Sequence, residues 1–190
     1  MYYSQLGQDK WVLEQMEGPG FFVEVGAYDG VKDSNTLALE NRGWEGLLIE
    51  GDTKRAAQCA RNRASLTHNV CVGDGTPGEL YIAGVWSGLK GKCRYNIEAE
   101  HVRRNNPTIP VITVPLISIV PSNIDYLSID TEGNEYEILR DFVLAGGQFK
   151  LLTIEVGSVQ SDLGKICDLL IPRGYRLDKI TKWDAFFYHV

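Results

Sequence analysis

No apolar run in this sequence approaches the ~20 residues that a membrane-spanning helix needs. The first ten residues, MYYSQLGQDK, hold no apolar stretch of the signal-peptide kind. Membrane insertion is therefore not expected. Cysteine is sparse: Cys59, Cys71, Cys93 and Cys167 lie far apart and form no CxxC pair. That spacing excludes a local zinc or redox motif and is simplest for a reducing, cytoplasmic setting. Positive charge is in short supply. Nineteen Lys and Arg face 25 Asp and Glu, a net charge of −6. A nucleic-acid surface needs clustered cations, so such a partner is not expected. The three histidines, His68, His101 and His189, have no ligand spacing, and no G-x-S-x-G nucleophile elbow is present. Hydrolysis by a Ser/His/Asp triad is set aside on that ground.

What is present suits one domain. The chain has 190 residues, of which 44% are hydrophobic and 20 are glycine. A chain of this size buries roughly 70% of its unfolded surface and needs no staples. It shows no repeat and no linker, so residues 1–190 are expected to form a single domain. Short apolar runs alternate with helical patterns. Phe21–Val25 ends in Gly26, Leu47–Ile49 in Glu50-Gly51, and Asn69–Val72 in Gly73-Asp74-Gly75. Ile124–Ile129 ends in Asp130 and Leu151–Ile154 in Glu155. Runs this short and this apolar read as buried strands of a parallel sheet. Between them, Asp52–Arg63 reads as a polar helix. Asn134 with Glu137 forms an N-x-x-E variant of the capping box ahead of Ile138, Leu139, Phe142 and Val143. Ser161 is expected to start a further helix that ends before Pro172. Residues 79–83 and 111–116 read as extended, and 176–180 with 185–190 as a final hairpin. The fold class is α/β, a three-layer sandwich on a mostly parallel sheet.

In such a sheet, ligands bind beyond the carboxyl ends of the strands. Here those ends carry acids and glycines. In Glu24-Val25-Gly26-Ala27-Tyr28-Asp29-Gly30 the glycines allow tight turning and close backbone approach to a ligand. Asp33, Ser34 and Asn35 follow as caps and hydrogen-bonding groups. The turn lacks the full G-x-G-x-x-G fingerprint, and Asp29 would repel a pyrophosphate. Glu50 stands 24 residues after Gly26, near the usual offset of the acid that holds ribose hydroxyls. A glycine turn with a strand-end acid fits a nucleoside cofactor without pyrophosphate, such as S-adenosylmethionine.

Several segments resemble the FkbM-type methyltransferases: Ser4–Asp9, Phe22–Gly30, Ser34-Asn35-Thr36, Gly43–Gly46, Leu48-Ile49-Glu50 and Asp125–Glu135. The resemblance runs from Ser4 to about Glu155. It departs at Gly51-Asp52, where many relatives carry a proline-containing segment. It implies a class I (Rossmann-like) fold whose seven-stranded sheet has one antiparallel strand. It also implies S-adenosylmethionine as methyl donor and a hydroxyl acceptor, often on a sugar. Residue by residue, it implies cofactor contacts from Glu24, Gly26, Ala27, Tyr28, Asp29 and Gly30, with Glu50 and Gly51 at the ribose. Val72 would approach the adenine, Gln8 and Ser34 the methionine end, and Asn35 is a further cofactor contact.

Asp130, Glu132 and Glu155 are the expected catalytic carboxylates. Methyl transfer to an alcohol needs alignment and a proton acceptor, and a carboxylate serves when burial raises its pKa. Asp130 is also expected to contact the cofactor's amino group. Asp130 with Glu155 could alternatively hold Mg²⁺ or Mn²⁺. Glu132 could instead hydrogen-bond backbone within its own turn. The stretch 84–110 is the basic segment of an acidic chain, with Trp86, Lys90, Lys92, Arg94, Tyr95, His101, Arg103 and Arg104. It reads either as an acceptor lid with aromatic platforms or as a solvated loop. Trp183 is a second candidate platform. The expected acceptor is a sugar, such as a terminal deoxyhexose of a glycan or glycosylated metabolite. Other domains of a glycan-synthesising protein are the expected neighbours. The alternatives are a non-sugar small-molecule acceptor or a non-catalytic binding module.

Overall fold

The apolar runs at 21–25, 45–49, 123–129 and 148–155 lie side by side in one sheet. The computed structural model describes residues 1–93, 97–157 and 162–190. In chain order the elements are α1 (Gln8–Gln15), β1 (Phe21–Val25), α2 (Leu37–Glu40), β2 (Glu45–Ile49), α3 (Thr53–Asn62) and β3 (Leu66–His68). Next come β4 (Cys71–Val72), β5 (Pro77–Tyr81), α4 (Ile97–Arg104), β6 (Thr108–Val114), β7 (Asn123–Ile129) and α5 (Glu135–Leu144). The chain closes with β8 (Gln148–Glu155), α6 (Leu163–Leu170), β9 (Tyr175–Ile180) and β10 (Asp184–His189).

Seven strands form the main sheet in the order β3-β2-β1-β7-β8-β10-β9. The pairs from β3 through β8 are parallel, and β10 runs antiparallel to both neighbours. This is the expected mostly parallel sheet with one antiparallel strand. The final hairpin is β9–β10, turned by Thr181, whose Oγ1 accepts the Asp184 N–H at 3.0 Å.

Side chains alternate across each strand, which creates two cores and hence three layers. On β1, Val23 and Val25 face one way and pack with Leu127, Ile129 and Leu152, under Leu139 and Phe142 of α5 and Ile166 of α6. Phe22 faces the other way with Trp11, Leu39, Trp44, Tyr126 and Phe186. Each fully buried Leu or Phe contributes about 1.5–3 kcal/mol. Both faces therefore anchor the strand ends on which the site is built.

Two local expectations are corrected. Asn69–Val72 does not enter the main sheet. Leu66–His68 takes the edge place beside β2, while Cys71–Val72 pairs with β6 in a second sheet of order β4-β6-β5. A short β-branched run shows strand character but not its partner, and here the partner lies about 40 residues on. The Asn134–Glu137 capping box does not form. Asn134 makes no side-chain cap; its amide instead donates to the Val72 carbonyl at 3.1 Å. At the departure from the family pattern, Asp52 caps α3 by accepting from the N–H groups of Lys54 and Arg55. Ser161 lies outside the described residues, and α6 follows Asp162.

Candidate active site

The chain leaves β1 towards β2 and β3 and returns to the other side of β1 as β7, so the strand order reverses there. Beyond the carboxyl ends of these strands lies a cavity of about 330 Å³, where an open α/β sheet is expected to bind its ligand. Gly26 lines this cavity and lets two strand ends approach. Its φ is +91°, and a Cβ there would sit 1.7 Å from the Asp130 carbonyl oxygen. The Gly26 and Ala27 N–H groups both donate to the Ile49 carbonyl, and the Asp130 N–H donates to Val25. Three strand ends thus converge on one glycine.

Glu24 lines the cavity but is already engaged by protein. Its carboxylate accepts from the Asn35 N–H at 2.8 Å and from the hydroxyls of Ser34 and Thr36. It also faces Arg63 at 3.7 Å, with both side chains almost fully buried. Burial raises its pKa despite the opposing effects of Arg63 and these hydrogen bonds. Arg63, which sequence reasoning passed over as a helix end, ties down the whole loop. It donates to the Gly30 carbonyl and to the hydroxyls of Ser34 and Thr36, and it pairs with Glu40. In this loop Asn35 donates its amide to Ser128 Oγ at 2.9 Å, while its Oδ1 is buried without a hydrogen-bond partner. Asn35 lines the cavity.

Glu50 sits on the opposite wall. Its Oε2 accepts the Tyr28 N–H and its Oε1 the Asp52 N–H, each at 2.8 Å. Burial, with a further push from Asp52, raises its pKa to about 7 against backbone hydrogen bonds that lower it. Each oxygen uses one lone pair on the backbone, which leaves acceptor capacity for a diol.

Asp130 lies on the cavity floor at the end of β7, with side-chain surface open to the cavity. The surrounding protein, then the negative charges of Glu132, Asp184, Glu135 and Glu24, raise its pKa well above the carboxylate range. Carboxylate oxygens of Asp130, Glu132 and Glu155 lie within 4.8 Å of one another. The following turn is fixed from within. Buried Glu135 accepts the N–H groups of Thr131 and Gly133 on its Oε1, at 2.8 and 2.9 Å. Glu132 has φ +64° and accepts from Arg103 at 2.9 Å. The backbone of the turn is held by Glu135. The three non-glycine residues with positive φ among those described, Tyr28, Asp33 and Glu132, all line this cavity. Such conformations cost about 1–3 kcal/mol each and cluster where function needs them.

Of the predicted site residues, Glu24, Gly26, Ala27, Tyr28, Ser34, Asn35, Glu50, Gly51, Val72, Asp130 and Glu132 line the cavity. Gln8, Asp29, Gly30 and Glu155 do not. Gln8 is buried, accepts the Leu6 N–H and donates to Asp184; Gln5 lines the cavity in its place. Asp29 turns back on its own loop and accepts from the N–H groups of Val31 and Lys32. A Cβ on Gly30 would meet Arg63 Cγ at 2.7 Å, so that glycine serves packing. Glu155 belongs to the carboxylate cluster without reaching the wall. In the basic stretch, residues 84–89 line the cavity and bring Trp86 to it. Arg103 points inward and is 1% exposed. Lys90 pairs with Glu79, and Arg104 with Glu100, on the surface. Arg94 and Tyr95 lie outside the described residues. Trp183 is not in the wall; Lys182 stacks on its ring at 4.4 Å. No helix among the described residues is long and apolar enough to cross a membrane.

Residues 24–177 match the methyltransferase FkbM domain. Among curated proteins none matches. Among solved structures, a TehB-like SAM-dependent methyltransferase from Corynebacterium glutamicum superposes with TM-score 0.55 at 10% identity, over 98% of this chain and 89% of that one. A methyltransferase FkbM from Methylobacillus flagellatus superposes equally well, with TM-score 0.55 at 14% identity. There the match covers 99% of this chain but 48% of the other, so this chain spans about half the length of that relative. A precorrin-6y C5,15-methyltransferase from Geobacter metallireducens shares the fold at TM-score 0.50 and 11% identity, over 95% and 87% of the two chains. These structural likenesses establish the class I fold, and the match over residues 24–177 establishes the family: the chain belongs to the FkbM methyltransferases, enzymes dependent on S-adenosylmethionine.

Proposed function

We propose that this methyltransferase is an O-methyltransferase acting on a hydroxyl of a sugar, in a glycan or a glycosylated metabolite. The observation that carries the reading is the juxtaposition of Asp130 on the cavity floor with Trp86 in the wall. A carboxyl raised by its surroundings is a better match for a hydroxyl proton than an ordinary one. An indole face is a common platform for the apolar side of a pyranose.

The cavity fits the methyl donor. Its lining includes Glu24, Glu50, Asp130 and Glu132, a charge balance suited to a cation. The orphaned Asn35 Oδ1 offers a buried acceptor for an N–H or O–H donor. Gly26 lets the Asp130 backbone close on the end of β1 where both line the cavity. When bound, S-adenosylmethionine supplies a methyl group on a cationic sulfonium. Glu50 would hold the ribose hydroxyls with its remaining lone pairs. Asn35 and Ser34 would face the methionine end, and Val72 the base. Asp130 would orient the acceptor hydroxyl and take its proton as the new C–O bond forms.

A second reading gives Asp130 and Glu155 a divalent cation, Mg²⁺ or Mn²⁺, as activator of the acceptor oxygen. The support is the approach of the Asp130, Glu132 and Glu155 oxygens to within 4.8 Å. Arg103 beside Glu132 argues for the metal-free route, since a cation already occupies one side of the cluster. Four free cysteines suit a cytoplasmic, reducing setting. The proposal also has the chain work beside further, glycan-building domains.

Calorimetry with S-adenosylhomocysteine, followed by turnover on a panel of free and glycosidic sugars, tests the proposal. Binding with methyl transfer to a sugar hydroxyl is the expected result. Binding with transfer only to non-sugar acceptors overturns the sugar assignment, and binding with no transfer favours a module without chemistry. Unchanged turnover after complete chelation by EDTA removes the metal reading.

A further inference from the structure

The basic insert reaches the carboxylate cluster through one buried side chain. Arg103, near the end of α4, donates from Nε to the Trp86 carbonyl at 2.8 Å and from Nη2 to Glu132 Oε2 at 2.9 Å. A guanidinium presents its donors in a rigid plane, so two bonds from it fix the relative position of the two acceptors. One acceptor belongs to the wall formed by residues 84–89. The other belongs to the left-handed turn that follows Asp130. Gly88 closes the joint from the far side. A Cβ at Gly88 would lie 3.0 Å from Cys93 Sγ, 3.2 Å from the Thr131 carbonyl oxygen and 3.4 Å from Glu132 Cβ. Wall and turn therefore meet closely at Gly88, with the Cys93 thiol packed beside them.

We propose that Arg103 is a positioning residue that joins the acceptor-side wall and the Asp130–Glu132 turn into one unit, so that pocket shape and placement of the Asp130 carboxylate are set together. The inference rests on the reading of this cavity as the methyl-transfer site. It gives Glu132 the part of a counter-ion that transmits position, and leaves proton transfer to Asp130. Among the insert's basic residues this one turns inward and grips the turn after Asp130.

Hydrogen exchange read by mass spectrometry tests the link, with S-adenosylhomocysteine as the probe. In the free protein, Arg103→Met and Glu132→Gln are each expected to speed exchange about tenfold in both segments, 84–89 and 131–135. Amides of β7 and β8 should keep their protection. The double variant should add nothing to either single one, since both remove the same joint. Arg103→Lys keeps the charge but cannot fork, and should restore one segment at most. In the wild type, S-adenosylhomocysteine should slow both segments together.

Faster exchange confined to 84–89 overturns the inference, as do additive effects in the double variant. A rise spread over β7 and β8 marks Arg103 as a general stabiliser and overturns it too. Should Arg103→Met fail to fold, Glu132→Gln retains the shape of the site and reads the same joint. Absence of ligand binding by the wild type would sink the functional reading instead. The exchange pattern of the free protein is a separate readout, so the two failures are distinguishable.

Discussion

The Tyr28 N–H donates to Glu50 Oε2 at 2.8 Å while Tyr28 itself holds φ +51°. The acid at the end of β2 thus props open the strained turn after β1. In doing so Glu50 gives up solvent, and its pKa rises from 4.5 to about 7.

A pH dependence of stability follows. A carboxyl with a raised folded pKa contributes stability that is present in full below about 4.5 and is lost as pH rises through about 7. The swing for this group is about 3 kcal/mol. Urea unfolding at pH 5 and pH 8 is expected to show a smaller loss with rising pH in Glu50→Gln than in the wild type. Equal losses in the two proteins would show that Glu50 is not the group responsible. The same variant should bind S-adenosylhomocysteine about 10–100-fold more weakly at pH 8, since a charged acceptor has been removed.

Gly26 and Gly146 share nearly the same φ, +91° and +92°, but differ in surroundings. At Gly26 a Cβ would collide with the Asp130 carbonyl; at Gly146 nothing lies within 4 Å. Gly146→Ala is expected to cost about 1–2 kcal/mol, the price of left-handed backbone alone. Gly26→Ala should cost about 4 kcal/mol or more, or prevent folding. Similar thermal midpoints for the two variants would contradict the close approach of β1 to β7.

The strand ends were legible because each joins a short apolar run to an acid or a glycine, a purely local signal. Glu24, Gly26, Glu50 and Asp130 could be placed on one rim from that pattern and the fold class together. What stayed hidden depends on pairing across the chain. Nothing near Glu24 announces that Arg63 will neutralise it. Nothing near Asn134 announces that its amide will go to Val72 and leave Glu135 to fix the turn. Asp29 looked like a ligand group because its sequence context shows charge but not direction. Its own loop's N–H groups claim it. The sequence leaves the basic stretch as lid or solvated loop, and only the packing of α4 shows Arg103 to be buried.

The Arg63–Glu24 pair gives a test of that hidden layer. Both side chains are nearly inaccessible, 0% and 5% exposed. Removing one member of a buried pair typically costs about 3–5 kcal/mol, because the other charge is stranded. Arg63→Met is expected to lose that much and to loosen the 30–36 loop. Adding Glu24→Gln should recover part of the loss by removing the stranded carboxylate. Urea unfolding of the two singles and the double measures the coupling. Simple additivity would mean that the ion pair does not hold the loop.

Asp130 and Glu132 are close in space but differ in what already binds them. Glu132 Oε2 is taken by Arg103 at 2.9 Å, whereas Asp130 presents its side chain to the cavity. The proton acceptor should therefore be Asp130. Asp130→Asn keeps the shape and removes the base, so kcat is expected to fall by about 10²–10⁴-fold. Its affinity for S-adenosylhomocysteine should stay within about tenfold of wild type, which corresponds to ~1.4 kcal/mol. Glu132→Gln should lose less in kcat, since it disturbs position and leaves the base in place. A larger loss in Glu132→Gln than in Asp130→Asn would reverse the assignment: the carboxylate held by arginine would then be the one that moves the proton.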